Sequence, residues 1–178
     1  MKKSLLSLLL VVIMLMSVTT VTAFAAEPVR QAKNKIQIGS GNNLEDKGSA
    51  SIVMSLEQLV RENTNFRIAL WTGDLLQLAA MSIPPGGEVG MEQHKDEDQF
   101  LYIIEGHGTY HSGPEKGNMT YKELVKPGSG IFVPKGKWHN ITNDGPGSLK
   151  LFSVYAPPHH SHGTIHKTKA EAEAAEQH

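Results

Sequence analysis

The stretch Gly128-Ser129-Gly130-Ile131-Phe132-Val133-Pro134-Lys135-Gly136-Lys137-Trp138-His139-Asn140-Ile141-Thr142-Asn143 decides how the rest of the chain is read. A short apolar run at 131–133 is followed by a Pro-x-Gly turn and then by a second run. On that second run His139, Ile141 and Asn143 share one face, because side chains alternate along a strand. Proline presets φ and glycine accepts a positive φ, so Pro134 and Gly136 are turn chemistry with no catalytic role.

Working outward, the same texture repeats. β-rich runs at 66–72, 75–83, 100–104, 141–143 and 149–155 are separated by Pro84-Pro85-Gly86-Gly87, Gly106, Gly108, Gly113-Pro114, Gly117, Pro127-Gly128 and Asp144-Gly145-Pro146-Gly147. Short strands punctuated by Gly/Pro turns predict an all-β sandwich or barrel. Phe100-Leu101-Tyr102-Ile103-Ile104 is apolar on both faces. One face therefore lines a barrel, and the other packs on a second sheet or a partner subunit. Ser55 followed by Leu56, Glu57, Gln58, Leu59 and Val60 reads as a short N-terminal helix with Gln58 in the capping-box position. The Ala/Glu-rich stretch 167–177 reads as a short, weakly held C-terminal helix.

A second pattern precedes the first: Gly86, then Glu92-Gln93-His94, Gln99 and Gly106. Glu92 and His94 are two apart and point to one side of a strand. Lys95-Asp96-Glu97-Asp98 is a charged turn, and Gln99 opens the next strand on the face of Leu101 and Ile103. If the two hairpins pair across a barrel, Glu92, His94, Gln99 and His139 converge on one point. Two imidazoles and a carboxylate make the facial set used by non-haem iron, with Gln99 adding a neutral oxygen. Such donors favour Fe(II), Mn(II) or Zn(II) over Cu(II) or Ni(II). Asp96 and Asp98 rival Glu92, but their place in the turn suits solvated charges. Tyr155 shares a face with Leu149, Leu151 and Ser153 and is a candidate pocket residue, core filling being the alternative; Phe152 is read as core.

The two spacings, Gly86-x5-Glu92-x-His94-x4-Gln99-x6-Gly106 and Gly128-x5-Pro134-x-Gly136-x2-His139-x3-Asn143, resemble the paired signature motifs of the cupin superfamily. The second matches at every fixed position; the first has Glu92 where the family has a His and Gln99 where it has a Glu. The resemblance covers residues 66–155 and implies a single jelly-roll β-barrel, a divalent metal in that barrel and a homodimer. Cupin-type phosphomannose isomerases hold zinc with Gln, His, Glu and His, the composition found here with Gln and Glu exchanged. The stretch 155–169 looks like the C-terminal part of small stand-alone cupins labelled mannose-6-phosphate-isomerase-like. Other cupins have lost their metal, and a metal-free barrel is the alternative implied.

Composition narrows the rest. The 178 residues suit one ordinary domain. With 17 Lys+Arg against 18 Asp+Glu there is no basic excess for nucleic acid. The absence of cysteine rules out a disulfide framework, a thiolate metal site and a catalytic thiol. Lys2 and Lys3, the apolar run 5–18 and Ala23-Phe24-Ala25 read as a secretory signal peptide over residues 1–25. A flexible polar arm (26–51), the cupin barrel (52–158) and a His-rich tail (159–178) follow. The expected location is secreted or extracytoplasmic in a bacterium, with no stable membrane anchor after cleavage. Five of the nine histidines fall in the tail, at His159, His160, His162, His166 and His178. The tail is read as a polar strap across the barrel mouth or dimer seam, with metal binding as its rival.

Three functions fit. One is a metal-dependent enzyme on a small oxygenated substrate, a sugar or keto-acid, of isomerase, decarboxylase or dioxygenase type. Another is a non-catalytic module binding a small molecule such as a sugar, and the third is a metal-free structural cupin. Export argues against a phosphorylated sugar. The motifs also hold no arginine, Lys135 and Lys137 being their only nearby cations, which counts against phosphomannose isomerase proper.

Overall fold

The structure, a computed structural model, describes residues 44–176. The expected signal peptide, residues 26–43 of the expected arm and His178 lie outside the described residues. In chain order the elements are α1 (Leu56–Glu62), β1 (Arg67–Thr72), β2 (Gln77–Ile83), β3 (Glu92–Gln93), β4 (Asp98–Glu105), β5 (Gly108–Gly113), β6 (Tyr121–Val125), β7 (Gly130–Val133), β8 (Trp138–Asn143), β9 (Leu149–Ala156), β10 (Ile165–His166) and α2 (Lys169–Ala175). Six strands form one sheet in the order β10-β1-β2-β9-β4-β7, and four form the other in the order β3-β8-β5-β6. This is the all-β jelly-roll barrel expected from the sequence, with a short helix at each end of the described chain.

Alternation fills the space between the sheets. Gln99, Leu101 and Ile103 of β4 and Leu149, Leu151, Ser153 and Tyr155 of β9 are all buried. Leu101, Ile103, Leu149 and Leu151 meet Met81, Ile83, Ile131, Val133 and Ile141 in one core cluster. Burying each aliphatic side chain stabilises the fold by roughly 1.5–3 kcal/mol. On the opposite side of the six-stranded sheet, Val60 of α1 packs on Ile68, Leu70, Ala80 and Ile104. Tyr102 and Phe152 are partly buried against that second cluster, so Phe152 belongs to the outer layer and not to the barrel core. Further along, the Phe100 and Phe132 rings lie 4.8 Å apart, and Phe132 is 78% exposed.

Several local expectations are corrected. Gly108 and Gly113 read as turn punctuation, yet they bound β5. A Cβ on Gly108 would lie 2.0 Å from the Thr142 carbonyl oxygen, so close approach of β8 requires the glycine there. The Ser55/Gln58 capping box does not form: Ser55 makes no side-chain cap bond, and Gln58 Nε2 donates to Glu62 Oε1 at 2.8 Å. Helix α2 is firmly seated. Ala172 enters the barrel core at 2% exposure, and Thr168 accepts the Glu171 N–H as a true N-cap. The end of the expected arm is docked too, since Lys47 N–H donates to the Leu70 carbonyl at 2.9 Å and Trp71 Nε1 to the Ala50 carbonyl at 2.8 Å. Packed chain therefore begins before residue 52.

Candidate metal centre

Two sheets supply the site. Antiparallel pairing of β3 with β8 sets Glu92 opposite His139. The Gly136 N–H, in a turn with φ of 77°, donates to the His94 carbonyl at 2.6 Å and ties the end of β3 to the loop before β8. Gln99 arrives from the six-stranded sheet, where it pairs with Tyr155 of β9 and Val133 of β7. The four residues expected to converge do so.

Their geometry is that of a donor cluster lacking a hydrogen to share. Glu92 Oε1 lies 3.3 Å from His94 Nε2 and 3.2 Å from His139 Nε2, and Gln99 Oε1 lies 2.8 Å from His139 Nε2. The Gln99 amide is oriented by donating Nε2–H to Ser153 Oγ at 3.0 Å. His139 Nδ1 is 3.0 Å from the Lys137 carbonyl, which can only accept. That contact places the proton of the neutral ring on Nδ1 and leaves a lone pair on Nε2. Three acceptor atoms thus face one another. Glu92 Oε1 and both ring nitrogens of His94 have no hydrogen-bond partner, although they are buried. Buried polar groups are normally paired, and an ion is one of the few explanations when they are not. Ligand atoms about 2.1 Å from a cation stand about 3.0 Å apart in an octahedron and about 3.4 Å apart in a tetrahedron; the 3.2 and 3.3 Å separations from Glu92 fall within that interval, and the 2.8 Å contact between Gln99 and His139 falls just below it. Two imidazole nitrogens, a carboxylate and an amide oxygen fit a divalent transition cation.

Electrostatics keeps Glu92 charged. Burial opposes its charge, but His139 and His94 in their protonated form donate to it and attract it, which outweighs burial and holds the carboxyl well below its usual range when no cation is bound. Arg67 of β1, only 2% exposed, places Nη2 at 3.6 Å from Glu92 Oε2 and Nη1 at 2.7 Å from Glu176 Oε1. The cation missing from the two motifs is therefore supplied by a distant strand, which corrects the expectation that Lys135 and Lys137 were the only ones near. A single Arg in the otherwise apolar run 66–71 is the signal that would have found it.

Tyr155 is fully buried beneath the cluster, its ring 5.4 Å from that of His94. Burial, with the Glu92 charge adding and Arg67 opposing, pushes its hydroxyl up to about 12. Asp98 lies outside the cluster and accepts the Lys135 N–H. The tail reaches the site: an open cavity of about 570 Å³ above the cluster is lined by Glu92, His94, Trp138, His159, His160 and Glu176, among others. His159 Nδ1 lies 3.2 Å from Glu97 Oε1, and the rings of His94 and His159 are 4.4 Å apart. Gln77 of β2 holds this part of the tail, its Oε1 accepting His160 N–H at 2.8 Å and its Nε2 donating to the His160 carbonyl at 2.8 Å. Burial and the Arg67 and His159 charges push the His160 imidazole down to about 2. Arg67, Gln77, Glu97 and His159 were not among the expected site residues.

The sequence model of the family described as Cupin domain matches residues 79–155, from β2 to β9, including all four converging residues. The YrkC protein of Bacillus subtilis (strain 168) is 44% identical over 133 residues, covering 75% of this chain and 72% of that protein. The crystal structure of BH2720 from Bacillus halodurans superposes with a TM-score of 0.72 at 45% identity, covering 73% of this chain and 98% of that one. The oxalate-binding protein of Thermotoga maritima is 32% identical over 77 residues, which are 43% of this chain and 58% of that protein.

Proposed function

The chain belongs to the cupin family, and on that premise we propose that it is an exported cupin that binds a divalent cation through Glu92, His94, Gln99 and His139 and receives a small oxygen-rich acid there. The single observation that carries this reading is the convergence of Glu92 Oε1, His94 Nε2 and His139 Nε2, two of them buried without a hydrogen-bond partner. When bound, the cation polarises an oxygen of the ligand and leaves positions open for it.

The chain's own residues bind and orient. Arg67 sits beside Glu92 and offsets its charge, so that the loaded site favours an anion. A keto-acid or dicarboxylate therefore fits better than a neutral sugar. The Thermotoga maritima relative named for oxalate binding supports the same class. Tyr155 retains its hydroxyl proton at neutral pH, and that hydroxyl has no protein partner. The Lys2/Lys3 head and Ala23-Phe24-Ala25 support export. The exposed Phe132 beside Phe100 supports pairing into a homodimer through the six-stranded sheet.

Capture without turnover is the second reading. It is favoured by Tyr155 and His160, which titrate far from neutrality and so offer hydrogen bonds without moving a proton. Metal analysis by mass spectrometry on untagged protein tests the site. We expect one divalent metal per chain, lost in Glu92→Ala and in His139→Ala; a metal-free protein, or metal retained in both variants, overturns it. Incubating the loaded protein with oxalate and keto-acids then separates turnover from capture by product analysis.

A further inference from the structure

A second set of metal-type donors stands outside the one described above. A ring nitrogen of His94, a carboxylate oxygen of Glu97 and a ring nitrogen of His159 lie within 4.8 Å of one another. His94 belongs to both sets. It is 3% exposed, and neither of its ring nitrogens has a hydrogen-bond partner. Its Nε2 faces Glu92 at 3.3 Å; Nδ1 is the nitrogen left over. Such a ring is poorly satisfied unless something coordinates it.

The outer imidazole is more open than the inner ones, while Glu97 and Glu92 are equally exposed at 16%. The Glu97 and His159 side chains are 16% and 28% exposed, against 3% for His94 and 1% for His139. His159 lines the open cavity that also exposes Glu92 and His94 of the buried cluster. The outer position is also built. Gln77 is fully buried, and its amide holds the backbone of His160 while Oε1 also accepts the His159 N–H at 3.3 Å. The His159 ring stacks on Tyr155 at 5.4 Å. The Glu97 carboxyl lies at hydrogen-bond distance from His159, so one anionic and one imidazole ligand already stand together.

We propose that His94, Glu97 and His159 form an entry site for the divalent cation, which is held there first and then passed inward by His94 to Glu92, Gln99 and His139. A hydrated divalent ion loses much hydration free energy on entering a buried site. Replacing its waters in two stages, with one imidazole common to both, lowers the barrier to entry; the neutral His94 ring carries its proton on Nε2 while the ion is at Nδ1, and that proton is exchanged to Nδ1 through solvent in the open cavity as the ion passes to Nε2. The donor set, two nitrogens and one carboxylate oxygen, suits the same borderline transition cations as the inner set. This inference rests on the inner-site reading above, and the test separates the two.

The probe is cobalt(II) mixed with untagged, metal-stripped full-length protein, followed by stopped-flow absorbance and by equilibrium titration. We expect His159→Gln and Glu97→Gln to take up cobalt at least tenfold more slowly while their equilibrium affinity changes by less than threefold. Glu92→Gln should retain weak cobalt binding that disappears when His159→Gln is added. His162→Gln, elsewhere in the tail, should behave as the unaltered chain. Unchanged uptake in His159→Gln, or equal slowing in His162→Gln, overturns the entry site alone. No cobalt binding by the unaltered chain overturns the inner site and the entry site together.

Discussion

Gln77 grips the backbone of His160 at both ends, accepting its N–H and donating to its carbonyl, each at 2.8 Å. The two residues are 83 apart in sequence. Gln77 pairs with Tyr155 across the β2–β9 ladder, and Tyr155 pairs with Gln99 across β9–β4. One row of side chains across the six-stranded sheet thus links the grip on the tail to a candidate metal ligand.

Gln77→Leu removes a buried amide and leaves the backbone of His159 and His160 unpaired. Each buried polar group so stranded costs about 1–3 kcal/mol. We expect a loss of about 2 kcal/mol in urea unfolding, with faster hydrogen exchange at the amides of 159–160. Unchanged protection at those amides would show that the tail is held by other contacts.

Arg67 is the buried cation between Glu92 and Glu176. Removing one partner of a buried ion pair typically costs about 3–5 kcal/mol, because the other charge is left uncompensated. Arg67→Met should therefore destabilise the metal-free protein by about 3 kcal/mol. In the metal-loaded protein it should weaken oxalate binding by calorimetry at least tenfold. Wild-type oxalate affinity in the variant would remove Arg67 from ligand selection.

The His160 imidazole is held at about 2 by burial first and then by the charges of Arg67 and His159. Unfolded, it takes up a proton below about pH 6.5. Because the unfolded chain then binds more protons than the folded one, stability falls as pH drops from about 6.5 toward 2. Glu92 acts with the same sign, in a lower window: its depressed carboxyl contributes stability that is lost as pH falls below the ordinary carboxylate range. His160→Asn should flatten the slope between about pH 6.5 and 5, where the carboxylates scarcely titrate. Equal slopes for the two proteins in urea unfolding at those pH values would rule out that assignment.

Phe132 is 78% exposed on β7, its ring centroid 4.8 Å from that of Phe100 and tilted by 39° to it. If the homodimer forms through this face, Phe132→Glu should give a monomer by light scattering at concentrations where the unaltered chain is a dimer. Its folding stability should change little, since an exposed side chain contributes little burial. A dimer that survives the substitution places the interface elsewhere.

Much of the site was legible because it depends on near neighbours. Alternation alone put Glu92 with His94, and His139 with Asn143, on common faces, and the Gly/Pro punctuation separated the strands that carry them. Where local signals misled, a tertiary contact was the reason. Gly108 and Gly113 read as turns because glycine usually marks one, whereas Gly108 is there to let the Thr142 carbonyl approach. The Ala/Glu-rich helix α2 read as weakly held because its propensity says nothing of Ala172 entering the core.

By itself, then, the sequence determined the barrel class, the turns other than those read at Gly108 and Gly113, and which ligand candidates share a strand face, since each follows from spacing over a few residues. Only the tertiary structure decided that Arg67 from β1 lies beside Glu92, that Gln77 from β2 holds His160, and that His159 meets Glu97 across 62 residues of chain. Alternation states which way a side chain points but not which strand lies alongside. The neighbour and the register are chosen by how the ten strands among the described residues together bury their apolar faces.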